Sequence, residues 1–177
     1  VPLVSLSLRL MNEESIGQIL SILRKKVQDW PVPALGRYMG SPYTVLVACI
    51  LSLRTKDKTT VRASDRLFEV AQNPHEMLGI SISEIERRIY PVSFYRVKAQ
   101  RLHEISTDLI ERFDAKVPQN ISDLLTLSGV GRKTANIVVT LGFGKPGIAV
   151  DIHVHRIANR FGYVQTKFPE DTEVILR

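Results

Sequence analysis

Apolar positions along the chain recur at intervals of three and four, the spacing that puts side chains on one face of an α-helix. No stretch alternates with the period of two that marks a strand. Ile16, Ile19, Leu20, Leu23 and Val27 form the first stripe. Asn12 stands where an N-cap belongs, Glu13 and Glu14 suit the positive end of a helix, Arg24, Lys25 and Lys26 suit the negative end, and Pro31 and Pro33 stop it. Ser41-Pro42 supplies a cap and an N1 proline for the next helix. From Tyr43 to Leu53 that helix is apolar almost all round, which predicts a place at the centre of the core. A polar break from Ser52 to Asp57 follows, and then Val61, Ser64, Leu67, Phe68 and Ala71 fall in register. Asn73-Pro74 opens a short turn of helix around Met77 and Leu78, and Ser83 with Glu86 reads as a capping box for another helix, ended by Pro91. Leu102, Ile105, Leu109, Ile110 and Phe113 mark a long amphipathic helix before Pro118. The loop after Leu141 is followed by a helix that Asp151 can cap and Gly162 ends, and Phe168-Pro169 begins one more. The expected fold class is all-α, without internal repeats.

The segment Asn120 to Val138, N-I-S-D-L-L-T-L-S-G-V-G-R-K-T-A-N-I-V, interrupts this pattern most sharply. Leu124, Leu125 and Leu127 end one helix, Ser128-Gly129-Val130-Gly131 is too tight and glycine-rich to continue it, and Arg132 starts a second helix with Ala135, Val138 and Leu141 on one face. Two glycines permit a sharp turn and leave backbone N–H groups bare. With the positive end of the second helix, they make a place for a phosphate. A plain helix connector is the competing reading; the two cations Arg132 and Lys133 at the helix start favour phosphate.

Charge supports an anionic partner. The 177 residues carry a formal net charge of +6 with a pI near 9.6, a balance that favours nucleic acid. Cys49 is the only cysteine and sits in an apolar run, so no intrachain disulfide forms and a small core residue is its simplest role. No stretch is apolar and long enough to span a bilayer. Val1 to Leu10 lacks the pattern of a signal peptide, and a first residue other than Met is consistent with a trimmed start. An intracellular protein, cytoplasmic or nucleoid-associated and monomeric, is expected.

Several side chains can carry chemistry. Lys133 is either a solvated surface lysine or a nucleophile. An amine attacks only when unprotonated, and the helix N-terminus and Arg132 both disfavour its positive charge. Asp151 can cap its helix, take a proton during that attack, and stabilise positive charge growing on a sugar ring as a base departs. His153 and His155 point to different helix faces and have no cysteine beside them, so no metal site is expected. Arg87, Arg88, Arg96, Lys98 and Arg101 form a basic band mixed with Tyr90, Phe94 and Tyr95. It reads as a solvated face or, on a DNA-facing loop, as a place where Phe94 could wedge into a base stack. Arg54, just after the most buried helix, could reach into a bent duplex or form an ion pair.

Leu127-Ser128-Gly129-Val130-Gly131-Arg132-Lys133-Thr134-Ala135-Asn136, followed by Val150-Asp151-Ile152-His153, resembles the endonuclease III family of helix-hairpin-helix DNA glycosylases. The similarity runs from about Ser41 to the C-terminus. It implies two helical lobes with a DNA cleft between them: a six-helix barrel over about residues 35–145, with the hairpin at about 121–141, and a lobe of 1–34 and 146–177 that is incomplete at its C-terminal end. It further implies a bifunctional enzyme of base excision repair that removes oxidised pyrimidines from double-stranded DNA and cuts at the abasic site. Lys133 would attack C1′ to form a Schiff base and Asp151 would be the catalytic carboxylate. Gly129, Val130, Gly131, Arg132, Thr134 and His153 would contact DNA, with Arg54 and Phe94 filling the gap left by the extruded base. A glycosylase that uses water alone, or a helix-hairpin-helix module that only grips DNA, are the alternative readings. The chain departs from the family in three places. Ser128 stands where proline is usual, and Arg54 where glutamine is usual, which bears on the opposite base preferred. The four C-terminal cysteines that hold a four-iron four-sulfur cluster are absent up to Arg177. Either the sequence is truncated or the protein lacks the cluster, and no cofactor is evident within the chain.

Overall fold

The computed structural model describes residues 12–177, so the reading of Val1 to Leu10 lies outside the described residues. The described residues are helical and contain no strand. The chain divides into two compact units, Val32–Ala149 on one hand and Val1–Pro31 with Val150–Arg177 on the other.

The larger unit is built on α2, Pro42–Ser52, in which every residue from Tyr43 to Leu51 is buried. Pro42 occupies the first turn as expected, but the Ser41 side chain makes no capping hydrogen bond; its carbonyl accepts from Thr44 Oγ1 at 3.1 Å instead. A 3-10 turn, Ala34–Tyr38, precedes α2, a short element that no apolar periodicity announces. Around α2 pack α3 (Asp57–Phe68), the 19-residue α6 (Tyr95–Phe113), α8 (Arg132–Ile137) and the π-helical turn Val138–Gly142 that continues α8. The short helices α4 (Pro74–Leu78) and α5 (Ile82–Ile89) close over α6 with Met77, Ile85 and Ile89 fully buried. A buried polar bond links α2 to α6, between Tyr43 Oη and Ser106 Oγ at 2.8 Å.

The cap of α5 differs from the expectation. Ser81, not Ser83, accepts from the Glu84 N–H at 3.2 Å. The helix that starts there buries Ile85 and Ile89, one turn apart on the face packed against α6. The basic band is also divided. Arg87 and Arg88 both bond Glu84, Arg88 also reaches Glu69 at 3.3 Å and the Arg66 carbonyl at 2.8 Å, and Arg66 returns a bond to the Arg88 carbonyl at 2.8 Å. Arg88 thus joins α5 to α3, whereas Arg87 pairs with Glu84 on its own helix and keeps an exposed side chain.

In the smaller unit, α1 (Glu13–Lys26) is capped by Asn12 as expected, through Ser15 N–H at 2.9 Å, but none of its residues is buried. Helices α9 (Ile152–Arg160) and α10 (Pro169–Leu176) pack together through His155, Asn159, Thr166 and Thr172, with His155 Nδ1 2.6 Å from Thr172 Oγ1.

Because α2 has no solvent-facing side, truncating it leaves a void. Leu46→Ala should destabilise the larger unit by about 3 kcal/mol in urea unfolding; a loss below about 1 kcal/mol would show that α2 is not the centre of the core.

Candidate active site and nucleic-acid interface

The hairpin begins with α7, Ile121–Leu124, whose N-cap Asn120 accepts from Asp123 N–H at 2.8 Å. Leu124 and Leu127 plug the core, and Val130 turns its side chain inward as well, 6% exposed, while donating its N–H to the Leu127 carbonyl at 3.1 Å. Val130 therefore shapes the turn, and its amide is not bare as the sequence suggested. The two glycines differ. Gly129 has a φ of +71°, which is what favours glycine here; a Cβ would meet only the flexible far end of the Arg101 side chain. Gly131 has an ordinary φ of −96° as N-cap of α8, and the space where its Cβ would lie is open. Its lack of a side chain exposes the turn rather than making the turn possible. Ser128, in the position where proline was the expected residue, donates to Glu104 Oε2 on α6 at 3.1 Å and pins the hairpin sideways.

From this turn α8 carries Arg132, Lys133 and Thr134 in its first residues. Lys133 and Thr134 line a cavity of about 580 Å³ in the larger unit, together with Cys49 and Ser52 from α2 and Arg54 and Asp57 beyond its end. Its apolar walls include Met39 and Ile137. Two residues singled out on separate grounds, Lys133 and Arg54, thus meet on one concavity. The Cys49 thiol is pushed up to about 12 by burial, with the nearby Lys133 pulling the opposite way; the thiol is a core group, as expected. Fully buried Asn136 donates to the Arg132 carbonyl at 3.1 Å and accepts from Ile148 N–H at 3.3 Å, tying α8 to the loop that runs toward residue 150.

Arg54 and Phe94 both adopt the left-handed conformation, with φ of 54° and 57°, unusual for side chains of this size. Both are exposed, Phe94 at 61%. The Arg54 guanidinium lies 6.0 Å from the Phe94 ring centroid, at the limit of a cation–π contact. With Leu53, Val97, Lys98 and Arg101 they line a second hollow of about 430 Å³. Tyr95 turns away onto Tyr90, ring centroids 5.4 Å apart, and Arg96 covers Tyr95.

Lys98 is the member of the basic band that sequence reasoning misjudged. It is 3% exposed, and its ammonium donates to the Leu51 carbonyl at 2.8 Å, the Leu53 carbonyl at 2.6 Å and Thr55 Oγ1 at 3.1 Å. Burial, with Arg101 adding, pulls its pKa down to about 8. No local pattern reveals this, because its acceptors lie more than forty positions earlier in the chain.

Asp151 and His153 belong to the smaller unit. Asp151 is the N-cap of α9, its Oδ1 accepting from His153 N–H at 2.9 Å and Val154 N–H at 3.0 Å, which aims the carboxylate at the helix start. His153 is exposed, with Nδ1 3.2 Å from Arg156 Nη2.

Residues 47–177 match the HhH-GPD superfamily base excision DNA repair protein family. Endonuclease III of Thermotoga maritima is 48% identical over 136 residues, 77% of this chain and 64% of that protein, so the chain spans less than two thirds of this relative. Endonuclease III of Haemophilus influenzae is 36% identical over 157 residues, 89% of this chain and 73% of that protein. The solved structure of a non-covalent endonuclease III–DNA complex matches with a TM-score of 0.82 at 32% identity, over 94% of this chain and 77% of that one. Cavity, hairpin and capped aspartate thus stand in a chain that belongs to the endonuclease III family of the HhH-GPD superfamily of base excision DNA repair proteins.

Proposed function

We propose that the protein is a bifunctional DNA glycosylase and abasic-site lyase acting on oxidised pyrimidines in double-stranded DNA, as a monomer. The observation that carries this reading is the cavity of about 580 Å³ shared by Lys133, Thr134 and Arg54, an amine in a hollow large enough for a nucleotide base. The hairpin holds a backbone phosphate at Gly129, Gly131 and Arg132, a contact that positions the strand without reading its sequence. The damaged nucleotide leaves the stack, at a cost of a few kcal/mol that is smallest for damaged pairs. Arg54 and Phe94 occupy the space it vacates.

The amine of Lys133 attacks C1′, and the C1′–N bond breaks with its electron pair leaving on the base, which takes up a proton. Asp151 accepts the proton released by the attacking amine and stabilises positive charge on the sugar. Ring opening, with O4′ taking the proton held by Asp151, gives the protonated Schiff base. Loss of the C2′ proton to solvent water then expels the 3′ phosphate oxygen with its electron pair, and a second water hydrolyses the imine to free Lys133. His153, exposed in the first turn of α9, is a further DNA contact in this reading.

The family's iron–sulfur cluster does not fit the residues in hand. The chain has a single cysteine, Cys49, which is buried, and among the described residues no group of three or more His, Cys, Asp or Glu side chains could hold a metal ion. The chemistry above uses none of that group. Among the described residues no helix is long and apolar enough to cross a membrane.

Three outcomes test this reading. Lys133→Gln should abolish nicking of a thymine-glycol duplex while leaving duplex affinity within a few fold in gel shift; persistent nicking would make the lysine a bystander, and wild-type protein that binds without excising would be a gripping module only. Asp151→Asn keeps a side chain that caps equally well, so thermal stability should change by less than about 0.5 kcal/mol while excision falls about 10²-fold or more; equal losses of both would reduce Asp151 to a cap. The glycines should separate. Gly129→Ala should cost about 1–2 kcal/mol in unfolding from its positive φ alone, whereas Gly131→Ala should stay within about 0.5 kcal/mol yet weaken DNA binding several-fold, because its methyl projects into the phosphate position.

A further inference from the structure

The loops presenting Arg54 and Phe94 come from distant parts of the sequence and are joined at one point. Residue 54 follows α2, and residue 94 precedes α6. The Lys98 ammonium sits between them with three protons and three acceptors: Leu51 O at 2.8 Å and Leu53 O at 2.6 Å at the C-terminal end of α2, and Thr55 Oγ1 at 3.1 Å. Thr55 Oγ1 in turn accepts the Ser93 N–H at 3.2 Å, so the network runs through one hydroxyl into the residue preceding Phe94. Thr55 N–H also donates to the Ser52 carbonyl at 3.0 Å, and Thr55 Oγ1 lies 3.3 Å from the Leu53 carbonyl, closing a tight turn around Arg54.

Such an arrangement is costly to leave half made. A lysine with 3% exposure has given up its hydration and must find all its partners in the protein. It does so on the negative end of α2, where carbonyls lack helical donors and a cation is favoured. The left-handed φ values at Arg54 and Phe94 are conformations that large side chains adopt only when their surroundings impose them, and both residues flank this network. A lysine serving stability alone could have bonded the α2 carbonyls and stopped there. This one reaches past the helix to the turn that carries Arg54 and, through Thr55, to the turn that carries Phe94.

We propose that Lys98 is a positioning residue that clamps the Arg54 and Phe94 loops into a single unit, so that both side chains enter the duplex together when a nucleotide leaves it. The proposal rests on the insertion role assigned to those two residues above. Its action is entropic: loops held in the entering conformation before contact lose little freedom on insertion, whereas independent loops would each have to be ordered by the DNA.

The test measures insertion without chemistry. A duplex carrying a tetrahydrofuran abasic analogue opposite 2-aminopurine reports unstacking as a rise in fluorescence. At saturating wild-type protein the signal should rise. Lys98→Met, matched in length but without the charge, and Thr55→Val, which removes the bridging hydroxyl and leaves Lys98 in place, should each reduce that rise at least threefold. Affinity for an undamaged duplex should stay within twofold of wild type, and circular dichroism should report an intact helical fold. Should Lys98→Met fail to fold, Thr55→Val decides by the same criteria. An unchanged rise in a folded variant overturns the proposal, as does a parallel loss of undamaged-duplex affinity, which would mark Lys98 and Thr55 as general supports. No rise with wild type overturns it too. Strand nicking in the same samples reports separately on Lys133: a wild-type protein that unstacks the probe but never nicks a thymine-glycol duplex refutes the lyase and leaves the clamp standing.

Discussion

The burial of α2 on every side is the constraint from which the rest of the larger unit follows. Nine consecutive residues, Tyr43 to Leu51, are withdrawn from solvent, each large apolar side chain contributing about 1.5–3 kcal/mol of burial free energy. A helix enclosed in this way can neither roll nor slide without opening voids among close-packed neighbours. Its C-terminal end is therefore a fixed point, and three functional features are built outward from it. Cys49 and Ser52 form part of the wall facing Lys133, the Leu51 and Leu53 carbonyls receive the Lys98 ammonium, and Arg54 projects from the first turn beyond the helix.

The basic character of the chain is divided among distinct tasks rather than spread as a field. Arg66 and Arg88 bind carboxylates and carbonyls across α3 and α5 and act as struts between them, and Arg87 pairs with Glu84 on the surface of α5. Arg101 lies against Gly129 and so joins the long helix α6 to the hairpin turn. Lys98 is buried, Lys133 lines a cavity, and Arg54 stands exposed beside Phe94. A net charge of +6 attracts a polyanion from a distance, but the specific work falls to a few cations whose surroundings differ sharply.

What could be read from the sequence was whatever depends on neighbours along the chain. The caps Asn12 and Asp151 bond the N–H groups their positions implied, Asn73-Pro74 opens the short helix around Met77, and the unbroken apolar run after Pro42 became the central helix. The hairpin was legible too, because glycine at residue 129 answers a local demand for positive φ. Ser81 and Ser83 were equally good caps locally, and the choice between them was made by the packing of Ile85 and Ile89 against α6. The solvated look of Arg88 and Lys98 was misleading for the same reason: their partners are contributed by α2, α3 and the loops around them, and only folding brings those groups together. The left-handed backbone at Arg54 and Phe94 likewise has no signature in residue type.

Reductive trapping addresses the amine most directly. Wild-type protein is incubated with a duplex containing one abasic site in the presence of borohydride, and the covalent product is digested and sequenced by mass spectrometry. A stable one-to-one adduct carried on the peptide containing Lys133 is the result this account requires. Strand cleavage with no trapped species, or an adduct mapped to a different amine, would contradict it.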